Sequence, residues 1–327
     1  MRMSRLLPFL GILLFLLIVI NLDIVKMLDL ISRIRADYVV ISLALLVPVL
    51  LLRGEKWRLI IKSYGIEYGL ISSTKAWISG FFVGIVTPGR IGDLSRAYYL
   101  KKDKGVTIGK SLTTVVVERI IDVVTLFVLA CAGLVLIASS YIEAGEMLLY
   151  VSVLFMAFIA VVFMMARKGF ARSVMRPLYV RFMPVKYRTL IGRVFNDFYS
   201  GMGQISRYRM ATAFLTVLVA WSIMILQYQF MAMALGLDLT YLFLLAIVPI
   251  LALLDIIPVT FSGIGTRDAA LIFFLSLVSV SAESAVSYSL LILFVNYISV
   301  GFAGLLLWIR DPIKIRPYLE QDNGNHG

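Results

Sequence analysis

Six apolar runs divide this chain, at about residues 6–22, 38–52, 111–139, 147–166, 211–235 and 285–309. Several approach the roughly 20 residues with which an α-helix crosses the ~30 Å of bilayer hydrocarbon. Nothing in that medium satisfies a stray backbone N–H or C=O, so each run must close its hydrogen bonds internally as a helix. Composition agrees. Of 327 residues, 61% are hydrophobic and 15% charged, and the mean hydropathy is +0.96; soluble domains carry about 45–50% apolar and about 25% charged residues. The expected fold is an all-α integral membrane protein, a polytopic helical bundle. The first run is read as a retained span, because no small-residue cleavage site follows Ile20.

Two further apolar stretches are interrupted. The first, about residues 74–96, breaks at Thr87, Pro88 and Gly89 and places Arg90, Asp93 and Arg96 directly behind the break. The second, about 241–280, breaks after Asp255 at a Pro/Gly-containing segment, which leads through Gly263, Ile264 and Gly265 to Arg267 and Asp268. Basic residues cluster at the N-terminus and at 53–62, 96–110, 167–209 and 310–316, whereas the loops at 139–146 and 236–240 contain acids and no Lys or Arg. By the positive-inside rule the clusters face the cytoplasm, as do both termini of a multi-pass plasma-membrane protein. Trp57 and Tyr64 are expected as interfacial anchors of the second span. The first broken stretch then enters and returns from inside, the second from outside. This predicts two re-entrant helical hairpins in an inverted-topology repeat, about 38–139 and 211–309. Two ordinary pairs of short spans are the other reading. The domain expected is a single membrane unit, 1–316. Within it, 23–37 is an interfacial helix and 167–209, with ten basic residues against Asp197, is a basic cytoplasmic amphipathic segment. Residues 317–327 form a polar tail expected to be disordered.

The net charge of +12 belongs to this topology signal and to attraction for anionic lipid headgroups, so nucleic acid is not an expected partner. Cys131 is the one cysteine and His326 the one histidine. A disulfide framework, a cysteine metal site and a buried histidine base are thereby excluded, and neither metal nor cofactor is expected. Gly105 stands one residue too close to Gly109-Lys110-Ser111 for a phosphate loop. The chain is therefore expected to be neither an ATP-driven pump nor an enzyme.

Irregular backbone at membrane depth survives only where protein or water surrounds it. Gly89, Gly92, Gly263 and Gly265 free the backbone at the two breaks. Helices restarting near Ile91 and Gly265 would aim N-terminal N–H groups, including that of Thr266, at an anion. Arg90, Arg96 and Arg267 add planar forks suited to phosphate oxygens, and the abundant anion in a bilayer is a lipid phosphate. In the alternative, Arg90–Asp93 and Arg267–Asp268 merely pair and cap their helices. Glu118-Arg119-Ile-Ile-Asp122 sets two carboxylates on one helical face. From a start near residue 107, Glu118 lies about 16 Å along the helix, well inside hydrocarbon. Glu118, Arg119, Asp122, Asp255, Asp268 and Asp93 are candidates for balancing charge, contacting a headgroup or carrying a coupling proton. An Arg119–Asp122 pair near a displaced interface is the plainer reading. Gln227, Gln229 and Asn296 are expected to make interhelical hydrogen bonds. The candidate site is expected where Arg90 and Arg267 approach each other at the midplane.

The pattern Thr87-Pro88-Gly89-Arg90-Ile91-Gly92-Asp93, Glu118-Arg119-Ile-Ile-Asp122 and Ser262-Gly263-Ile264-Gly265-Thr266-Arg267-Asp268 resembles the lysylphosphatidylglycerol synthase transmembrane region. This is the flippase-like domain family whose best-known member is the bacterial multiple peptide resistance factor. The resemblance covers about residues 1–315. It implies a domain that moves a lipid headgroup between leaflets, with a membrane phospholipid or a polyprenyl-phosphate lipid as its partner. The soluble synthase domain of that factor is not expected within these 327 residues, so aminoacyl transfer is not carried over. A homodimer or a separate soluble synthase is compatible with the sequence. A proton-coupled transporter of a soluble anion, a membrane enzyme acting on a lipid phosphate, and a non-catalytic partner of a lipid-modifying enzyme are the rival readings.

Overall fold

The computed structural model describes residues 7–85, 87–138, 142–182, 185–202, 206–256 and 263–312. Among these every regular element is helical. The chain opens with α1 (Leu7–Ile20), and α2 (Ile24–Ser32) follows. Asp23 starts α2 by accepting the N–H groups of Val25 at 3.0 Å and Lys26 at 3.2 Å. Five helices are long and apolar enough to cross a membrane. They are α3 (Ala36–Ser63), α6 (Ile108–Ile137), α7 (Ile142–Ala166), α10 (Arg207–Ala234) and the continuous helix 282–310. The last comprises α13 (Ala282–Ile292), a π-helical turn (Leu293–Ile298) and α14 (Ser299–Arg310). Leu149, Val153, Met156 and Phe163 of α7 are exposed, as expected for a helix face turned to lipid.

α4 (Leu70–Ile85) and α11 (Tyr241–Leu254) are the interrupted stretches. At 16 and 14 residues they reach only about 24 and 21 Å at 1.5 Å per residue, short of the hydrocarbon thickness. α4 stops where Thr87, extended as the residue before a proline prefers, leads into a 3₁₀ segment (Pro88–Ser95) and then α5 (Arg96–Lys104). The α-helix thus resumes at Arg96 rather than near Ile91. Thr87 fixes the turn by accepting the Gly92 N–H at 2.8 Å. A Cβ on Gly92 would lie 2.3 Å from the Val83 carbonyl oxygen, so the backbone there closes only on glycine. α11 ends at Leu254 with Asp255 as its cap, residues 257–262 lie outside the described part of the chain, and Gly265, whose φ is +88°, caps the start of α12 (Thr266–Ser276).

Two expectations are corrected. The second span does not end near residue 52: α3 continues one-piece to Ser63. Trp57 is no interfacial anchor, because it is fully buried, donates to Thr114 Oγ1 at 3.1 Å and packs edge-on against Tyr68. Residues 167–209 include α8 (Lys168–Phe182) and α9 (Val185–Met202), and α9 lies across the start of α6, where Gly109 meets the backbone at Val194 and Phe198. The expected polar tail, 317–327, is outside the described residues.

The long helices pack in an exchanged pattern. α3 lies against α10, α4 against α14, and α11 against α6. Glycines permit the last two approaches: a Cβ on Gly304 would stand 2.6 Å from the Ile78 carbonyl oxygen, and one on Gly133 2.5 Å from the Ala246 backbone. Lipid tails are as apolar as any side chain, so close backbone approach is what holds such helices together.

Candidate functional site

Charged side chains from α3, the 3₁₀ segment, α5 and α6 meet in the interior. Lys56 of α3 is fully buried, with its ammonium 2.8 Å from Glu118 and 2.6 Å from Asp122. Both carboxylates project from one face of α6, as their spacing of four residues requires. Arg96, at the first position of α5, pairs with Glu118 from the other side and stacks over the Trp57 ring at 5.3 Å. Arg119 pairs with Asp93 and approaches Asp122 at 3.9 Å. Three cations and three carboxylates thus neutralise one another. An unpaired ion at this depth would cost several kcal/mol, so charges this deep are held where they compensate.

A second constellation surrounds the other break. Arg267 is fully buried, donates to Ser289 Oγ at 3.0 Å, lies over the Tyr297 ring at 5.1 Å and feels the Asp255 carboxylate. Asp255 accepts from the Tyr297 hydroxyl. Asp268 is not the partner of Arg267 in its hydrogen bonding; it accepts the Gly265 N–H at 2.7 Å and caps α12. A Cβ on Gly263 would fall 1.9 Å from Asp255 Oδ1, as one on Gly84 would fall 2.0 Å from Asp93 Oδ1. At each break an aspartate therefore rests on a glycine.

A cavity of about 90 Å³ lies between the constellations. Arg119 and Asp122 border it from the first, Asp255 and Tyr297 from the second, and Arg53, Trp77, Trp221, Tyr228 and Asn296 add to its wall. Asp122 is roughly 14 residues, about 21 Å, from the start of α6, close to the middle of that helix. The π-helical turn carries Asn296 and Tyr297; one extra residue per turn is a recurrent device for re-aiming side chains at functional sites.

Of the residues singled out from sequence, Arg119, Asp122 and Asp255 line this cavity, while Asp93, Arg96, Glu118, Arg267 and Asp268 are buried around it. Gly92, Gly263 and Gly265 shape the two breaks, and Thr266 opens α12. Gly89 and Arg90 fall in the 3₁₀ segment, but the Arg90 side chain is outside the described residues, so its expected approach to Arg267 is too. Gln227 bonds across helices, donating to the Ser42 carbonyl at 2.7 Å. Lys56 and Arg53 were missed. They stand in a basic cluster that reads as the end of a span. The signal that would have found them is helical: Val49, Arg53, Lys56, Trp57 and Ile60 recur at intervals of three, four or one and share one face. Among the described residues no three His, Cys, Asp or Glu side chains gather as a metal site.

These features define a polytopic helical membrane protein with two interrupted helices and a charged interior cavity. The family model of the lysylphosphatidylglycerol synthase TM region matches residues 6–304, and the chain belongs to this family. It is similar to the UPF0104 membrane protein MJ1595 of Methanocaldococcus jannaschii, with 25% identity over 310 residues, 89% of this chain and 90% of the relative. It also resembles the UPF0104 membrane protein MJ1078 of the same organism, with 24% identity over 233 residues, 69% of this chain and 93% of that protein.

Proposed function

We propose that this protein binds the phosphate-bearing headgroup of a membrane lipid in the central cavity and helps to move it between leaflets. The observation that carries the reading is the cavity wall itself. Arg53, Arg119, Asp122 and Asp255 border one opening from α3, α6 and the C-cap of α11, at a depth where charge is costly unless it is paired or serves a polar substrate. The acyl or prenyl chains stay in lipid, and only the headgroup passes through the polar opening.

An inverted-topology repeat of two re-entrant hairpins fits this reading. Its first copy would be α3, α4, α5 and α6; its second α10, α11, α12 and the helix 282–310. A two-fold relation pairs α3 with α10 and exchanges the α4–α14 contact for the α11–α6 contact, which is the packing observed. Transporters of this architecture hold substrate at the repeat interface and alternate access by rocking one repeat against the other. The plasma membrane, with cytoplasmic termini, is the setting inferred from the basic clusters, and neither a resident cofactor nor bond-making chemistry enters the proposal.

Reconstitution tests it. Vesicles containing the protein are expected to bring a labelled phosphate-bearing lipid to the opposite leaflet faster than empty vesicles do, while a matched diacylglycerol moves at the same rate in both. No acceleration of the phosphate-bearing lipid would refute the reading.

A further inference from the structure

The cavity wall holds buried hydrogen-bond donors without acceptors among the described residues, and these point to its ligand. Its acids are held from the protein side through one oxygen each, Asp122 by Lys56 at 2.6 Å and Asp255 by the Tyr297 hydroxyl, and Arg119 stands 3.9 Å from the other Asp122 oxygen. Its donors are not all matched. The indole N–H groups of Trp77 and Trp221 and the amide nitrogen of Asn296 are buried and have no acceptor among the described residues. Both tryptophans are only 4% exposed, and both line the cavity. A buried donor left without an acceptor costs about 1–3 kcal/mol, which an oxygen-rich ligand would recover.

Arg53 stands between these two rings. Its guanidinium carbon lies 5.3 Å from the Trp77 ring centroid and 5.2 Å from that of Trp221, and one terminal nitrogen reaches the Met224 sulfur at 3.5 Å. Stacking on two aromatic faces stabilises a cation in a dry setting and fixes the plane of its fork. Trp77 comes from α4 and Trp221 from α10, so the clamp draws on both proposed repeats.

We infer that Arg53, clamped by Trp77 and Trp221 and assisted by their indole N–H groups and by Asn296, is the oxyanion contact of the cavity, taking a phosphate ester. The inference rests on the headgroup reading above and names the group that holds the phosphate. The chemistry is that of phosphate oxygens: a planar charged fork and neutral donors supplement one another around several acceptor sites. Two of the participants, Arg53 and Trp221, lie outside the two broken segments and the Glu118–Asp122 pair singled out from the sequence.

Thermal unfolding and native mass spectrometry of the full chain in detergent test this, with phosphatidic acid, diacylglycerol of the same chains, and inorganic phosphate as probes. Phosphatidic acid is expected to be retained and to raise the unfolding midpoint; diacylglycerol is not. Trp77→Phe and Trp221→Phe keep the rings but lose the donors, and each is expected to weaken phosphatidic acid roughly two- to tenfold. Arg53→Gln is expected to weaken it at least about tenfold, with Arg53→Lys between. Should Arg53→Gln fail to fold, the two Trp→Phe variants and Arg53→Lys decide. Unchanged affinity in those variants, or equal retention of diacylglycerol, would overturn the inference. If inorganic phosphate binds as tightly as phosphatidic acid and with the same variant dependence, the oxyanion contact stands and the lipid reading fails. Dependence on Arg53 in binding without any leaflet transfer likewise keeps the contact and removes the transport reading.

Discussion

Lys56 has no solvent exposure and two carboxylate neighbours, so its ammonium cannot be removed without leaving buried negative charge in excess. Breaking a buried pair from one side costs about 3–5 kcal/mol, whereas removing both members costs far less. Lys56→Met is therefore expected to lower stability in detergent by about that amount, and Lys56→Met with Asp122→Asn by clearly less than the single change. A double variant as unstable as the sum of its singles would show that the two residues are not coupled. Glu118, Arg119 and Asp122 were legible in the sequence because charges inside an apolar run must have a reason to be there. Lys56 was not, because a lysine among Arg53, Glu55, Arg58 and Lys62 looks solvated. The packing of α6 against α3 makes it interior, and the one local hint is the helical face it shares with Val49, Trp57 and Ile60.

The interrupted helices were legible for the opposite reason. Pro88, Gly89 and Gly92, and Gly263 and Gly265, crowd helix-weakening residues into a few positions just before a charge, which marks a break where a lone Pro or Gly does not. What the sequence could not supply was the form of the break. The 3₁₀ segment before Arg96 and the π-helical turn at Leu293–Ile298 depend on what each helix packs against. The exchanged packing also rests on single residues. Gly133→Ala and Gly304→Ala would put a Cβ 2.5 Å from the Ala246 backbone and 2.6 Å from the Ile78 carbonyl oxygen. Each is expected to cost about 1–3 kcal/mol in thermal or denaturant unfolding. Gly145→Ala, where nothing lies within 4 Å, is expected to leave the midpoint unchanged. Equal effects at all three positions would mean that α6–α11 and α14–α4 are not the close interfaces described.

Across the whole molecule, the neutral cluster of Lys56, Arg96, Arg119, Asp93, Glu118 and Asp122 joins α3, the 3₁₀ segment, α5 and α6 into one unit. Arg267, Asp255, Ser289 and Tyr297 join the other broken helix to α13 and the π-helical turn. The cavity lies where the two units face each other, and in the transport proposed above one unit moves against the other to open it to either side. The leaflet transfer rate in reconstituted vesicles reads this directly, comparing wild type with Arg119→Gln on the cavity wall and Lys102→Gln, whose side chain pairs with Asp311 away from that wall. For a phosphate-bearing lipid, the expected result is transfer at the wild-type rate in Lys102→Gln and a fall toward the empty-vesicle rate in Arg119→Gln. Wild-type transfer in a folded Arg119→Gln protein would contradict a path for the headgroup through this cavity.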